Sequence, residues 1–539
     1  MVLNIVACVS FFMYLLCKLA GIAGSGIMSA GEILGRACSR SGLFVFASND
    51  YPSLIRGGHN VFSLAISDAP VHSIFSKVDL LVALNEESVA LHKKELSKTH
   101  FVISGEVLDK FASFGELSRN MVAVGAVFGL LKLDFNVLAG VINERFAGKP
   151  QLDVNLKAAK AGFDSLKSKF EFKAKKSNQL FLSGNHALAL GAIKAGMKFA
   201  AIYPITPINP MLEYLASKAK DFVVEVPEDE ISGILMSLGA SHCGVRSMVA
   251  TSGAGFSLMV ESLALAGMTE TPIVIFYGQR AGPATGMPTK TEQSDLLFAR
   301  SAGHGEFVRI VVAPGDVQEC FSESVRAFQL AEKFQLPVIV LTDKYLNESF
   351  QTVPFLKSIE VKRESFGVPK AGFKRYAVTA DGISPRSIPG QPDGMFDANS
   401  DEHDEFGFSS DDPVNRAKMV EKRFKKLDLL RKELPKPILH GSKNAKTIIV
   451  GWGSAKGPIL SALEKFPDFS FLQLQYLVPF PDISEFIKGK KVIVIENNKT
   501  GQLTSLIRSY CLIEPVFFGK YDGRQFTADE IVEVLNGAR

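Results

Sequence analysis

The sequence predicts an α/β protein of three α/β domains with mainly parallel sheets. Short apolar runs alternate with helical patterns through the middle of the chain, as in FAAIYPI, VRSMVATSG, TPIVIFYG, FVRIVVAPG and LPVIVLTD. This rhythm is typical of strand–helix–strand units. The 539 residues include 45 glycines and one tryptophan, a composition that fits many tight strand–helix turns, and a chain of this length can form about three or four cores.

Composition excludes several classes of protein. The net charge of +4 is too small to indicate binding to nucleic acid or to a membrane surface. The six cysteines form no CxxC pair, which argues against a zinc ribbon, an all-cysteine iron–sulfur motif and a secreted disulfide scaffold. We therefore expect a reducing, cytoplasmic compartment.

The first 17 residues, MVLNIVACVSFFMYLLC, are apolar and have no basic start. The segment is short for a membrane span and lacks the layout of a secretory signal. We interpret it as an N-terminal extension, either from an upstream translation start or as a variant first strand, and expect no stable membrane insertion. A membrane anchor is the minority alternative.

Residues 18–176 read as a first α/β unit. LAGIAGSGIMSAGEILGRACSRSG predicts a strand, a glycine-rich turn and a helix, but Ser29 stands where the dinucleotide fingerprint has its third glycine, so the turn is weak evidence for a nucleotide. Arg56 and His59 lie in a loop between two apolar runs. That loop is either a glycine-bent hairpin or a surface that meets a cofactor or partner.

Residues 178–350 carry the parallel-sheet rhythm, and residues 351–435 break it with a linker that holds an acidic loop and one helix. Asp412 and Pro413 are a favourable N-cap and N1 pair for that helix. An apolar stripe on a basic background predicts that it packs on one face, through Met419, Val420, Phe424, Leu427 and Leu430. Residues 436–539 form a last α/β unit with strands KTIIVGWGS, FSFLQLQYL and KKVIVIENN.

Thr206 lies in the segment Tyr203–Pro204–Ile205–Thr206–Pro207. Proline fixes φ and restricts the residue before it, so the threonine hydroxyl is expected in a rigid turn at the end of a strand. Open α/β sheets bind their ligands at such strand ends. The alternative is a proline-rich loop with a surface threonine.

Two charged residues and one glycine turn follow in the same domain. Glu230 opens a helix of small residues that permits close approach to a ring; alternatively, it is one of three acidic residues, with Glu228 and Asp229, that complement the helix dipole. Thr251–Gly253 form a turn onto the next helix. Arg280 ends a strand, where its planar fork can bind a carboxylate or form a structural salt bridge.

These stretches resemble the 2-oxoacid:ferredoxin oxidoreductases, in the alpha subunit or domain that holds the pyrimidine half of thiamine diphosphate. The resemblance rests on YPITP, TSGAG and QRAGPATGMPTKTEQSDL, and departs from the family at Ile208, Ala254 and Ala284. It implies a gamma-type domain over 18–176, a thiamine-diphosphate pyrimidine-type domain over 178–350 and a transketolase C-terminal-like domain over 436–539.

The resemblance also implies roles for the candidate residues. Glu230 would contact N1′ of the aminopyrimidine, Thr206 would lie beside the thiazolium and the substrate, and Arg280 would bind the C1 carboxylate of the 2-oxoacid. Gln293 and Asp295 would order the loop after Arg280. Arg56 and His59 would lie near coenzyme A. The residues expected to line the cofactor are Tyr203, Pro204, Ile205, Glu230, Thr251, Ser252 and Gly253.

The sequence contains no Gly-Asp-Gly turn and no cluster cysteines. The resemblance therefore implies a beta subunit that carries the diphosphate and Mg²⁺ site and the iron–sulfur cluster, with ferredoxin as electron acceptor. The implied reaction converts a 2-oxoacid, either 2-oxoglutarate or a broad range, and coenzyme A to acyl-CoA and CO₂. Two alternatives stay open: a component of a non-redox thiamine lyase or transketolase, and a non-catalytic scaffold subunit.

Overall fold

The computed structural model describes residues 13–52, 57–115, 118–173, 179–353 and 359–538, and three β-sheets flanked by helices organise them. The first elements are β1 (Tyr14–Ile22), α1 (Ile27–Arg40), β2 (Phe44–Asp50), β3 (His59–Ser67), β4 (Val78–Ala83), α2 (Glu86–His92), β5 (Leu96–Ile103), α3 (Gly105–Asp109), α4 (Arg119–Leu130), α5 (Phe135–Phe146), α6 (Leu152–Ser165) and β6 (Leu180–Ser183).

The middle and last parts of the chain continue this alternation. The middle elements are α7 (Gly184–Lys194), β7 (Phe199–Ala201), α8 (Asn209–Lys218), β8 (Val223–Glu225), α9 (Glu230–His242), β9 (Ser247–Thr251), α10 (Gly253–Met268), β10 (Ile273–Gln279), α11 (Leu296–Ser301), β11 (Ile310–Val312), α12 (Val317–Phe334), β12 (Pro337–Asp343), α13 (Lys344–Glu348) and β13 (Phe350–Val353). The last elements are α14 (Pro413–Glu433), β14 (Ile438–Gly441), β15 (Thr447–Gly451), α15 (Lys456–Leu463), β16 (Phe469–Gln473), β17 (Tyr476–Val478), α16 (Ser484–Ile487), β18 (Lys491–Glu496), α17 (Gln502–Cys511), β19 (Val516–Gly519) and α18 (Ala528–Ala538).

The chain divides into two compact units. The first comprises the described residues of Met1–Leu182, Ser349–Phe355 and Thr527–Asp529, and the second those of Ser183–Glu348, Leu356–Phe526 and Glu530–Arg539. Most of the predicted middle domain and of the predicted last domain thus belongs to the second unit.

The first unit is built on a seven-stranded sheet in the order β5-β4-β1-β3-β2-β13-β6. Strand β1 runs parallel to β4 but antiparallel to β3, and β2 is also antiparallel to β3. This sheet is therefore mixed, because two strands joined by a short loop pair antiparallel. Strand β1 begins at Tyr14, so the last residues of the apolar N-terminal segment belong to this sheet; residues 1–12 lie outside the described part of the chain.

The second unit contains the parallel sheet that the sequence predicts. Its order is β17-β11-β12-β10-β9-β7-β8, and every pair except β11 with β17 is parallel. All seven residues of β10 are buried, as expected of a central parallel strand covered on both faces. The α/β fold class is confirmed, and the carboxyl ends of β7, β9 and β10 lead into the loops that carry the candidate site residues.

A five-stranded sheet in the order β14-β16-β15-β18-β19 completes the second unit. Helix α14 begins as predicted, because the Asp412 side chain accepts hydrogen bonds from the backbone N–H groups of Val414 and Asn415. Among the described residues, none of the helices combines the length and apolar character that a membrane crossing requires.

The buried face of α14 differs from the predicted stripe. Met419 and Leu430 are buried, but so are Lys422 and Lys426, whereas Val420, Phe424 and Leu427 are only half-buried. The reason is Glu270, a buried carboxylate that pairs with Lys422 and lies 2.6 Å from the Lys426 ammonium. A charge can be buried when such a partner compensates its desolvation.

Candidate active site

The Thr206 loop connects β7 to α8 at the carboxyl edge of the parallel sheet. Tyr203 and Pro204 are exposed, Thr206 is half-buried and Pro207 is buried. Nη1 of Arg280, the first residue after β10, donates a hydrogen bond of 3.0 Å to the Thr206 carbonyl oxygen. The structure thus brings together two of the three predicted catalytic residues.

Ile208 occupies the position at which the resembled family usually has serine. Its side chain is fully buried, and a Cβ atom built on Gly278 of β10 would lie 3.1 Å from Ile208 Cδ1. Ile208 therefore packs against the sheet. Isoleucine in place of the family's usual serine thus changes the core beneath the loop.

The three acidic residues at the start of α9 have different environments. Glu228 is exposed, and Asp229 is the N-cap, whose carboxylate accepts from the backbone N–H of Ser232 at 2.8 Å. This hydrogen bond lowers the pKa of Asp229. Glu230 is the first helical residue and its exposure is only 7%. Glu230 is therefore the buried carboxylate of the three.

The Glu230 carboxylate lies against the first turn of α10. A Cβ atom added to Gly255 would come within 2.4 Å of Glu230 Oε1 and 2.2 Å of Thr251 Oγ1. Only a residue without a side chain allows this approach. Gly255 is a site residue that sequence reasoning missed; the signal was the second glycine of Gly253–Ala254–Gly255.

Further polar groups surround the start of α10. Thr251 and Ser252 are fully buried, and the Ser252 hydroxyl makes no hydrogen bond within the described residues. A Cβ atom on Gly253 would lie 3.1 Å from Asp295 Oδ2 and 3.4 Å from Tyr277 Oη. Two carboxylates, those of Glu230 and Asp295, thus flank the N-terminal turn of one helix, where the helix dipole favours negative charge.

Burial shifts the acidity of this neighbourhood. It raises the pKa of Asp295, and burial together with Asp295 raises the pKa of Glu292 to about 6. The same two causes raise the pKa of Tyr277. Tyr277 is a second group that sequence reasoning missed, because a tyrosine within an apolar strand carries no local signal of a site.

The loop that follows Arg280 is fixed by Gln293, in agreement with the sequence analysis. Gln293 Nε2 donates to the Trp452 carbonyl oxygen at 3.1 Å, and its Oε1 accepts from the backbone N–H of Asn497 at 3.0 Å. Asp295 is held in turn, because its backbone N–H donates to Gln279 Oε1 at 3.0 Å. The loop is therefore tied both to the central sheet and to the five-stranded sheet.

The remaining candidate pair belongs to the first unit. Arg56 lies outside the described residues, and His59 begins β3. His59 Nε2 lies 2.9 Å from His92 Nε2, and His92 Nδ1 lies 3.1 Å from Glu95 Oε2. Burial and His92 lower the pKa of His59. Although burial opposes it, hydrogen bonds from His92 and Lys18 lower the pKa of Glu95 to about 2.

Comparison with known proteins agrees with these features. A family model described as pyruvate flavodoxin/ferredoxin oxidoreductase, thiamine diphosphate-binding, matches residues 190–422. A second, described as pyruvate ferredoxin/flavodoxin oxidoreductase, matches residues 17–108 and 105–165.

Individual relatives cover most of the chain. The 2-oxoacid:ferredoxin oxidoreductase subunit alpha of Sulfolobus sp is 35% identical over 96% of this chain and 96% of its own length. The 2-oxoglutarate synthase subunit KorA of Methanocaldococcus jannaschii is 34% identical over 66% of this chain and 99% of its own. The solved structure of 2-oxoglutarate:ferredoxin oxidoreductase from Magnetococcus marinus, with 2-oxoglutarate, coenzyme A and succinyl-CoA bound, matches with a TM-score of 0.90 at 33% identity, covering 97% of this chain and 99% of that one.

Proposed function

Because this chain belongs to the alpha subunits of the 2-oxoacid:ferredoxin oxidoreductases, we propose that Glu230, Thr206 and Arg280 form its part of the active site. The reaction joins a 2-oxoacid and coenzyme A, releases CO₂ and passes two electrons, one at a time, to ferredoxin. The observation that carries the proposal is the buried Glu230 carboxylate, pressed against the Gly255 backbone at the sheet edge from which Arg280 and Thr206 also project.

The pyrimidine half of thiamine diphosphate fits this group of residues. An aminopyrimidine needs a carboxylate at N1′ and close, unobstructed backbone, and Glu230 beside Gly253 and Gly255 offers both. The buried hydroxyl of Ser252 has no partner among the described residues and is available to a polar ring. When bound, the cofactor supplies the nucleophilic carbon and the electron sink that decarboxylation of a 2-oxoacid requires.

Arg280 and Thr206 are proposed to hold the substrate. The Arg280 guanidinium uses Nη1 on the Thr206 carbonyl oxygen, and its remaining N–H groups can bind a carboxylate. Burial lowers the pKa of Arg280, but an arginine stays protonated in proteins. We propose that Arg280 binds the C1 carboxylate of the 2-oxoacid and that the Thr206 hydroxyl helps to hold the same substrate molecule. Tyr203, Pro204 and Ile205 shape the approach to them.

A beta subunit is proposed to cover this edge. Helices α9 and α10 begin with the site residues and pack on each other, yet Ile231, Leu235, Met236 and Leu258 are 41–50% exposed. Apolar side chains exposed on two packed helices favour a protein partner. With no Gly-Asp-Gly turn and no paired cysteines in this chain, we assign the diphosphate and Mg²⁺ site and the iron–sulfur cluster to that subunit. The same exposed surface would suit a scaffold subunit, but a scaffold has no need of a buried Glu230.

We propose 2-oxoglutarate, or a broad range of 2-oxoacids, as substrate. The KorA relative is named for 2-oxoglutarate, and the Magnetococcus structure holds 2-oxoglutarate and coenzyme A. For the first unit we propose a gamma-type domain whose loop with Arg56 and His59 meets coenzyme A. The middle and last domains are likewise proposed as pyrimidine-binding and transketolase C-terminal-like.

The test is coenzyme A-dependent reduction of a viologen dye by 2-oxoglutarate, pyruvate and aryl 2-oxoacids, with this chain co-expressed with its beta partner. We expect Glu230→Gln to lower kcat by about 10²- to 10⁴-fold. Glu228→Gln, two residues away and exposed, is the matched control and should retain activity. A cluster- and thiamine-loaded complex that reduces no dye with any 2-oxoacid would refute the function. Loss of dye reduction in the Glu228→Gln variant, with activity retained in Glu230→Gln, would refute the assignment of Glu230 as the carboxylate at N1′.

A further inference from the structure

A buried pair of asparagines lies beneath the Thr206 loop. Asn185 is the second residue of α7 and Asn347 belongs to α13; both are fully buried. Asn185 Nδ2 donates to the Pro207 carbonyl oxygen at 2.9 Å, and Asn347 Nδ2 donates to Asn185 Oδ1 at 3.0 Å. These two hydrogen bonds, from Asn347 to Asn185 and from Asn185 to Pro207, thus connect two helices to the residue that follows Thr206.

The two helices that carry these amides are in backbone contact. A Cβ atom on Gly184, the first residue of α7, would lie 2.2 Å from the Leu346 carbonyl oxygen and 3.1 Å from Asn347 Cα. Neither helix can move relative to the other without losing this fit, because protein interiors are close-packed. The Asn185 amide is therefore held at a fixed place.

The carbonyl groups of the loop have different donors, and that of Ile205 accepts from the backbone N–H groups of Ile208 and Asn209. Proline has no backbone N–H, and the carbonyl oxygens of Thr206 and Pro207 each accept from a side chain, Arg280 and Asn185 respectively. On the sheet side, a Cβ on Gly278 would lie 2.9 Å from the Pro207 ring at Cγ. The Thr206 peptide is thus bracketed by two side-chain donors and the β10 backbone.

We infer that Asn185 is a positioning residue of the active site, which acts through the Pro207 carbonyl to place the Thr206 hydroxyl, and that Asn347 orients its amide. The inference rests on the proposed role of Thr206. Removing Asn185 leaves a buried carbonyl without its donor, and the loop then shifts to find another partner. A catalytic group displaced by about 1 Å can lose a hundredfold in rate.

The experiment compares Asn185→Ala with Ser183→Ala in the complex with the beta subunit. Ser183 caps the same helix through the His186 backbone N–H, and within the described part of the chain its hydroxyl bonds to His186 and not to the Thr206 loop. Both variants should lower Tm. Only Asn185→Ala should lower kcat/KM for the 2-oxoacid, by about 10- to 100-fold, with KM for coenzyme A unchanged. Equal kcat/KM values in the two variants would overturn the inference.

A double-variant cycle with Thr206→Val separates positioning from general destabilisation. If Asn185 acts through Thr206, Asn185→Ala should cost no further activity once the hydroxyl is gone, whereas independent effects multiply. Full activity of Thr206→Val would overturn the proposed role of Thr206, and this inference with it; an inactive Thr206→Val with multiplicative losses would overturn the inference alone. Should Asn185→Ala fail to fold, Asn347→Ala replaces it in both comparisons, with a smaller expected loss of about 3- to 10-fold.

Discussion

Replacing Gly255 with alanine tests whether the Glu230 carboxylate must lie against the first turn of α10. The added Cβ would lie 2.4 Å from Glu230 Oε1 and 2.7 Å from its Cγ. Because ordinary contact begins at 3.4 Å, the carboxylate has to move by about 1 Å, and so does the Thr251 hydroxyl, which would lie 2.2 Å from the new atom. A displacement of that size at a catalytic group costs roughly 10²-fold in rate, or about 2.7 kcal/mol of activation free energy.

For Gly255→Ala, the change in the free energy of unfolding should be smaller than the change in the activation free energy. Overpacking costs about 1–3 kcal/mol, but alanine is better than glycine in a helix by about 0.5–1 kcal/mol. We would measure dye reduction and Tm in the complex with the beta subunit. Gly140→Ala in α5 is the matched control, since its Cβ would meet nothing within 4 Å. A folded, thiamine-loaded Gly255→Ala complex with the activity of the control would refute the reasoning.

Two further predictions concern residues that the family resemblance did not explain. Ile208→Ser should lower the free energy of unfolding by about 2–5 kcal/mol and leave KM for the 2-oxoacid unchanged, because its fully buried side chain faces the core; a lower KM with Tm preserved would contradict this. Glu270→Gln should cost about 3–5 kcal/mol, since it leaves buried Lys422 and Lys426 without their counter-charge, whereas the exposed Glu421→Gln on α14 should be neutral in thermal denaturation. Although burial opposes it, Lys426 and Lys422 lower the pKa of Glu270 below 4.5, and burial lowers the pKa of Lys422 to about 8. The contribution of the ion pair is therefore complete between about pH 4.5 and 8 and is lost as the pH falls below 4.5; a Glu270→Gln variant with the acid sensitivity of the wild type would contradict this.

Local signals in the sequence were enough to predict the frame of the candidate site. The parallel sheet follows from apolar runs separated by helical patterns, and the start of α14 follows from Asp412 and Pro413, because capping depends on residues only a few positions apart. The position of Glu230 at the first turn of a helix was predicted in the same way. Its burial, which separates it from Glu228 and Asp229, could be read only from the structure.

What the sequence could not predict depends on contacts between distant residues. The burial of Lys422 requires Glu270, which is 152 positions away in the chain, so a lysine on the basic background of α14 is in fact buried. The role of Gly255 likewise depends on a carboxylate from the preceding helix. The mixed character of the first sheet arises because β2 and β3 pair antiparallel, whereas β1 and β4 pair in parallel.

The route of the chain through the first sheet has a consequence for biosynthesis. The chain leaves this sheet after β6 and returns to it at β13, the strand between β2 and β6. Thr352 Oγ1 accepts from the Val45 backbone N–H, across a separation of 307 positions. At about 5–20 residues per second on the ribosome, β13 is synthesised roughly 15–60 s after β2. An unpaired strand edge invites association with other chains, so the nascent N-terminal unit is exposed to aggregation until the inserted segment has been synthesised.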